Sequence, residues 1–301
     1  MEHMYHLPDL QGAIRVLGFQ HARSDDGWVY PNHRHNYFEF LHCVEGTVHQ
    51  WSDGRRYVLE AGDSLLIKAY SHHHTETPRS AVFFDFHFDL EDRNVQSVFL
   101  LQNAPFISSR ERLASGQPIG EWVRAFGERH ASFYRQPPEP EAGSACGGLQ
   151  APVLQASVQQ LQIQSRFLEL IGYLAELLLE RAGAAIAAGA APAPSQIEIA
   201  QHAALLMERH LRDGMRINDL SDRLNVHRSY LNQCFKALYG IPPSDYYRQI
   251  RLREAKQLLR HSEHTIEAVA GELGFSSPGH FTAFFKAAVG MTPQRYRKRR
   301  A

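Results

Sequence analysis

The stretch FKALYGIPPSDYY, residues 235–247, recurs fifty positions later as FKAAVGMTPQRYR, residues 285–297. Phenylalanine, lysine, alanine, glycine, proline and tyrosine stand at the same places in both copies. Upstream, with one inserted residue, apolar positions also align: Ile217, Leu220, Leu224 and Leu231 with Ile266, Val269, Leu273 and Phe281. The repeat therefore predicts two copies of one supersecondary unit.

Each copy is expected to be two helices around a tight turn. In the second copy, TIEAVAGELGF predicts a helix that ends at Gly274, a residue suited to a left-handed C-terminal position. Ser277 is a good N-cap, and Pro278 fits the first turn of the next helix, which runs to about Ala288. A short helix, a tight turn and a second helix are typical of a helix-turn-helix.

Charge separates the two parts of the chain, although the formal net charge of the whole is +0. Residues 1–195 hold 15 Lys and Arg against 22 Asp and Glu, a net of 15 − 22 = −7, whereas residues 196–301 hold 17 against 10, a net of 17 − 10 = +7. The last seven residues, RYRKRRA, carry five of these positive charges. A plain helical bundle is the alternative for such helix pairs, but the basic balance favours a nucleic-acid partner.

The C-terminal part resembles a known family. IEAVAGELGFSSPGHFTAFFKAAVGMTPQRYR is similar to the signature of the AraC/XylS family of bacterial transcription regulators, and RINDLSDRLNVHRSYLNQCFKALYGIPP and DYYRQIRLREAKQLL match its first unit and linker helix. The resemblance covers residues 196–301. It implies an all-α domain with two helix-turn-helix units joined by a long helix, promoter DNA as the target, RNA polymerase as a partner during activation, and a cytoplasmic location.

The resemblance also assigns roles to residues. The recognition helices span about 227–238 and 278–288, and each should enter a major groove. Positions that match base-reading ones are Arg228, Ser229, Asn232 and Gln233 in the first helix, and Gly279, His280, Thr282 and Ala283 in the second. The family often carries arginine at the position of Ala283, so the second unit is expected to read bases less strongly. Expected phosphate contacts are Lys236, Lys286, Arg295 and Arg297.

Residues 12–90 predict a different architecture: short β-rich runs with turn signals between them, as in a sandwich or small barrel. Within them, GWVYPNHRHNYFEFLHCVEG, residues 27–46, resembles the first cupin motif at every fixed position. His33, His35 and Glu39 share one register of the strands, and His73 is the expected fourth member. Imidazoles with a carboxylate suit Fe, Mn, Ni or Zn, so a divalent metal is one reading of this set.

A second reading is a pocket wall for a small molecule, without a metal. Lys68 and Tyr70 stand where metal-binding cupins usually have proline and glycine, and the AraC-type sensory domain resembles a cupin without an assigned metal. His87 lies in register with Asp85 and Asp89, opposite three phenylalanines, which a half-buried strand explains without any site. These alternatives stay open on the sequence.

Between the two ends, residues 157–181 have apolar residues at helical spacing. Such a helix either packs on its own domain or pairs with a second copy, because an exposed apolar stripe needs a partner. Pro- and Gly-rich stretches at 136–152 and 183–195 predict linkers on both sides. Charged residues interrupt the most apolar segment, which argues against a membrane span.

The resulting expectation is a multidomain α+β protein: a cupin-like ligand-sensing β-barrel at residues 1–135, a linker with a dimerisation helix at 136–195, and a double helix-turn-helix domain at 196–301. Three scattered cysteines and no secretory signal at the N-terminus predict the reducing cytosol. The expected function is a homodimeric regulator, an activator of a metabolic gene set, that responds to a sugar or another metabolite. The alternatives are a metal-dependent cupin enzyme with a DNA-binding appendage and an architectural DNA binder without a ligand.

Overall fold

The computed structural model describes residues 14–101, 105–113, 116–130, 151–189, 191–213, 215–262 and 264–298. The chain divides into two compact units, Met1–Ala191 and Pro192–Ala301. The first unit is rich in β-strands and the second is helical. The predicted α+β organisation is therefore confirmed.

The described part of the first unit holds nine strands: β1 (Ile14–Ser24), β2 (Trp28–His33), β3 (Phe38–Glu45), β4 (Thr47–Ser52), β5 (Arg55–Glu60), β6 (Ser64–Ile67), β7 (His73–Thr77), β8 (Ala81–Leu90) and β9 (Phe106–Ile107). They form a five-stranded sheet in the order β1-β8-β3-β6-β9 and a four-stranded sheet in the order β2-β7-β4-β5. The pairs between these strands are antiparallel.

The two sheets enclose a core because alternate residues of a strand point to one side. Leu41 and Phe83 of the five-stranded sheet share a buried cluster with Val48 and Leu59 of the four-stranded sheet. This apolar cluster fills one part of the space between the sheets. On the same face of β3 and β8 as this cluster, Glu39, Asp85 and His87 are polar, and they belong to the site described below.

The outer face of the five-stranded sheet is also buried, under three helices: α1 (Arg93–Leu100), α2 (Ile119–His130) and α3 (Ala151–Ala187). Phe167 of α3 packs against Phe86 of β8 and Phe126 of α2, with ring centroids 4.9 Å away in each case. Both faces of β8 are consequently buried. The half-buried strand predicted around His87 is wrong, because the polar face with Asp85 and Asp89 is buried as well as the phenylalanine face.

Helix α3 is longer than the predicted 157–181 and extends to Ala187, into the stretch that was predicted as a second linker. Its buried stripe packs within the first unit: Ile163, Phe167, Leu170, Ile171, Leu174 and Leu178. A second apolar stripe is exposed: Leu154, Val158, Leu161, Leu168 and Leu179. The sequence pattern combined apolar residues of the buried face and of the exposed face of α3 into one stripe. The first predicted linker, 136–152, falls almost entirely outside the described residues.

The second unit consists of helices among its described residues: α4 (Pro194–Arg209), α5 (Ile217–Arg223), α6 (Arg228–Tyr239), α7 (Pro243–His261), α8 (Ile266–Glu272), α9 (Pro278–Val289) and α10 (Pro293–Lys298). The pairs α5–α6 and α8–α9 are the two helix-turn-helix units, and α7 connects them. Helices α6 and α9 both end at a glycine in the left-handed region, Gly240 with φ 74° and Gly290 with φ 78°. Glycine reaches this conformation without the strain of a side chain.

The repeat in sequence is a repeat in packing. Phe235 meets Tyr246 edge to face with ring centroids 5.2 Å apart, and Phe285 meets Tyr296 in the same way at 5.3 Å. Phe235 and Phe285 are both fully buried. Each second helix is thus held to its unit by the same aromatic contact.

In the described ranges, no helix is both long enough and apolar enough to cross a membrane.

Candidate functional site

The two predicted recognition helices begin at defined caps. Helix α6 begins after His227, whose Nδ1 accepts a hydrogen bond from the backbone N–H of Ser229 at 3.3 Å. Helix α9 begins after Ser277, whose hydroxyl accepts from the backbone N–H of His280 at 3.1 Å. Caps of this kind satisfy N–H groups that have no partner inside the helix. They fix where the first exposed turn of each helix starts.

Helix α6 presents a polar face that its apolar residues leave outside. Leu231, Cys234, Phe235 and Leu238 are buried, whereas the predicted residues Arg228, Ser229, Gln233 and Lys236 are exposed and Asn232 is half-buried. The Arg228 guanidinium donates to the Oδ1 atom of Asn218 at 3.3 Å. The exposed set offers amide, hydroxyl and guanidinium groups, which are the groups that pair with base edges.

Helix α9 buries the corresponding side, but its exposed side carries fewer polar side chains. Phe281 and Phe285 are buried, whereas Gly279, His280, Ala283 and Lys286 are exposed and Thr282 is half-buried. The His280 ring nitrogen Nδ1 lies 3.1 Å from the Ser276 hydroxyl. The exposed face of α9 therefore offers fewer hydrogen-bonding side chains than that of α6.

Some basic residues of this unit are exposed, and others are buried or packed against neighbouring side chains. Arg295 is exposed, but the Nε atom and one terminal nitrogen of Arg297 are buried without a hydrogen-bond partner among the described residues. Arg251 of α7 donates to the backbone oxygen of Leu273 at 2.7 Å and lies 3.7 Å from the centre of the Phe275 ring. Arg251 is thus a packing residue, although a charge count would assign it to DNA.

The four predicted residues of the barrel come together between the two sheets. His33 at the end of β2 pairs with His73 at the start of β7, Glu39 lies on β3 of the other sheet, and His35 lies in the connection between β2 and β3. One ligand atom from each of the four lies within 4.8 Å of the others. His73 and Glu39 are buried, and His33 and His35 are partly exposed.

The histidine rings share an orientation. The Nδ1 atoms of His33, His35 and His73 lie 3.0, 2.8 and 3.0 Å from backbone oxygens of Pro31, Tyr37 and Ser71. The Nε2 atoms of His35 and His73 lie 3.1 and 3.2 Å from the Oε2 atom of Glu39. His35 and His73 therefore each face an acceptor oxygen on both sides of the ring.

A neutral imidazole has one proton and can donate to only one of these oxygens. Burial lowers the pKa of His35, against the opposing effect of Glu39, so a doubly protonated ring is disfavoured there. Burial alone would raise the pKa of Glu39, but the neighbouring imidazoles of His35, His73 and His87 outweigh it and hold that pKa well below its ordinary value. A cation among the Nε2 atoms and the carboxylate would remove this conflict, since Nδ1–H would still donate to the backbone.

The donor set fits a divalent metal in this respect. Ligating histidines commonly donate their second ring N–H to a backbone oxygen, as these do. His73 Nε2 is buried and has no hydrogen bond of good geometry among the described residues. Two ligands of a metal at about 2.2 Å are at most about 4.4 Å apart. The widest pair here must therefore close by a few tenths of an ångström.

Two further polar residues adjoin these four, and the sequence interpretation missed them. His87 of β8 stands opposite Glu39 of β3, and its Nε2 lies 3.6 Å from the Oε2 atom of Glu39. Asp85, two residues earlier on β8, is buried, with its Oδ1 atom 4.0 Å from His87 Nε2. Their alternation with phenylalanine was the signal, because the register of β8 against β3 sends the polar face into the barrel.

Comparison with known proteins agrees with this division. A helix-turn-helix domain family matches residues 220–299, and a cupin domain family matches residues 22–87. A transcriptional regulator of uncharacterised role from Bacillus subtilis, YisR, is 32% identical over 100 residues, 33% of this chain and 35% of that protein. The transcriptional activator RhaR of Yersinia pseudotuberculosis is 49% identical over 74 residues, 25% of each chain.

These matches and the repeat identify the C-terminal part as a helix-turn-helix domain similar to those of the regulators YisR and RhaR. The chain spans about a third or less of the length of these two relatives in the matched regions. A solved structure of apo ToxT from Vibrio cholerae agrees over 95% of this chain and 97% of that one, with a TM-score of 0.50 and 12% identity, which bears on the fold alone.

In the first unit, the departure at Tyr70 from the usual cupin motif leaves the turn intact. Tyr70 adopts φ 74°, the left-handed conformation that glycine normally supplies at that position of the motif. Its backbone N–H donates to the backbone oxygen of His35 at 2.7 Å. The connection that carries His35 is thereby tied to the segment that precedes His73.

Proposed function

We propose that this chain is a ligand-responsive, sequence-specific DNA-binding transcription regulator. The observation that carries the proposal is the pair of helix-turn-helix units with equivalent cores and exposed second helices, in a chain whose C-terminal part is similar to AraC-type regulators. Promoter DNA is the proposed target, which places the protein in the cytoplasm, and RNA polymerase is the proposed partner when the protein activates. The description of RhaR as an activator supports activation over repression.

In this proposal the two recognition helices enter successive major grooves. Asn232 and Gln233 have side-chain amides that pair well with adenine, and Arg228 suits guanine. Lys236, Lys286 and Arg295 are exposed cations suited to phosphates, which position the domain without selecting a sequence. Arg297 has a smaller role than the sequence suggested, because part of its guanidinium is buried.

The proposed dimer uses the exposed stripe of α3. This stripe repeats at alternating spacings of four and three residues, as in a two-stranded coiled coil. Its successive positions are Leu154, Val158, Leu161, Ser165, Leu168, Gly172, Ala175 and Leu179. We propose α3 of a second copy as the occupant. Leu161→Glu, whose leucine is 66% exposed, should give a monomer by light scattering with an unchanged circular dichroism spectrum. A dimer in that variant would reject this interface, and Gln160→Glu is the matched control.

The proposed effector site lies inside the barrel, where a divalent metal held by His33, His35, Glu39 and His73 supplies a Lewis acid for an oxygen ligand. A sugar or another hydroxylated metabolite remains the proposed effector class. The convergence of these four residues also supports the second candidate, a metal-dependent cupin enzyme with a DNA-binding appendage.

The variant Glu39→Ala distinguishes these two candidate functions. The protein is purified without a histidine tag, and its metal content, turnover of candidate ligands and DNA binding are measured. As a sensor it should lose the bound metal and the ligand-dependent change in DNA binding, with no turnover before or after the substitution. Turnover that the variant abolishes would establish the enzyme.

The DNA function is tested by sequencing genomic fragments that the purified full-length chain retains. We expect fragments that share one paired motif, and Gln233→Ala should lose that motif while it retains nonspecific binding. Fragments without a shared motif would favour an architectural binder. A panel of metabolites should raise the melting temperature of the protein for at least one compound, and no shift with any would also favour that alternative.

A further inference from the structure

Asp85 lies beside the proposed metal ligands but is not one of them. Asp85 is 3% exposed, and its Oδ2 atom accepts a hydrogen bond from the Gln20 side-chain amide at 2.6 Å. The Oδ1 atom is buried and has no hydrogen-bond partner among the described residues. A buried acceptor without a donor costs free energy, so a residue of this kind points to a missing partner.

Neighbouring side chains do not supply that donor. The closest charged group is His87, whose Nε2 is 4.0 Å from Asp85 Oδ1, beyond hydrogen-bond distance, and 3.6 Å from Glu39 Oε2. The side chain of His87 is 31% exposed, so this wall of the site is open to solvent. Asp85 Oδ1 therefore lies close to the proposed metal ligands and to an accessible edge.

The charge of the site limits what fits there. The four ligand residues, three neutral imidazoles and the Glu39 carboxylate, would balance only one of the two charges of a divalent metal. A monoanionic carboxylate ligand would balance the other. A metal held by these four residues would also accept a chelating ligand with two oxygens of its own.

We propose that Asp85 is the specificity residue for a small α-hydroxy acid: the carboxylate and hydroxyl oxygens bind the metal, and the hydroxyl proton is donated to Asp85 Oδ1. This inference rests on the metal-binding part of the proposed function. It selects hydroxy acids over simple carboxylic acids, because a simple carboxylate has no proton for the buried acceptor. Simple diols lack the negative charge.

The test uses the full-length chain loaded with Co²⁺, whose visible spectrum reports changes in coordination. Glycolate, acetate and ethylene glycol are titrated at pH 8, where glycolate and acetate are both anionic. The key variant is Asp85→Asn. Because Gln20 donates to one oxygen, the asparagine is held with its NH₂ group where Oδ1 stood, and it offers a donor to the ligand hydroxyl.

We expect glycolate to bind at least tenfold more tightly than acetate or ethylene glycol, and Asp85→Asn to remove that preference, so that glycolate and acetate then bind with similar affinity. The matched control is Asp89→Asn on the same strand, where Asp89 is equally buried but pairs with Arg15 at 3.2 Å. It should retain the glycolate preference.

Glycolate binding that Asp85→Asn leaves unchanged would overturn the inference, as would equal loss of acetate binding or equal affinity of glycolate and acetate for the parent protein. In each of those outcomes Co²⁺ binding survives, and so does the metal part of the proposed function. Absence of Co²⁺ binding by the parent protein would reject both.

Discussion

The two helix-turn-helix units share a core and differ on their surfaces. Phe235 against Tyr246 and Phe285 against Tyr296 have the same edge-to-face geometry, with interplanar angles of 70° and 69°. The exposed face of α6 is rich in hydrogen-bonding groups, whereas that of α9 is largely glycine and alanine around His280 and Lys286. The repeat therefore preserves the way a helix is held, and each copy is free to differ in what that helix presents to DNA.

The largest expected effect concerns the shared core. Phe235→Ala and Phe285→Ala each remove a fully buried ring, and each should lower the free energy of unfolding by about 3–5 kcal/mol. Circular dichroism at 222 nm follows this loss, because the three tryptophans lie at positions 28, 51 and 122 in the first unit. A cost in one unit that is several times the cost in the other would break the equivalence of the two cores.

The next effect concerns the surfaces. Gln233→Ala should weaken binding to a selected DNA site by about 1–3 kcal/mol if the amide makes a good base contact. Thr282→Ala on α9 should cost less, because Thr282 is half-buried and its neighbours on that face carry few polar groups. The measurement is a competition titration of each variant with the selected and a scrambled site. A larger loss for Thr282→Ala would reverse the assigned roles.

The smallest effect concerns the caps. Ser277→Ala removes the hydroxyl that accepts from His280 N–H at 3.1 Å and should cost about 1 kcal/mol of stability. The first unit uses a histidine cap with a longer contact, 3.3 Å from Ser229 N–H, so His227→Ala should cost less. Thermal unfolding of the two variants gives the comparison, and equal costs would show that the two caps are equivalent.

The sequence predicted the helical units well because their cores repeat at a fixed spacing. It predicted from the motif that His33, His35, Glu39 and His73 belong together. The expected shared strand register was not the reason, because His35 lies in the connection between β2 and β3. It did not predict Asp85 and His87, because a single strand does not reveal that helices bury its other face. It also merged the two stripes of α3, because a helix buried on one side and apolar on the other has no clear polar face.

The most direct test of the account compares Gln233→Ala with Lys286→Ala on a selected site and on a scrambled one, across a range of salt concentrations. We expect Gln233→Ala to lower the ratio of specific to nonspecific affinity and to leave the salt dependence unchanged. Lys286→Ala should weaken both DNAs alike and reduce the salt slope by about 1. Equal loss on both DNAs for Gln233→Ala, with no preference for the selected site in the parent protein, would contradict sequence-specific recognition.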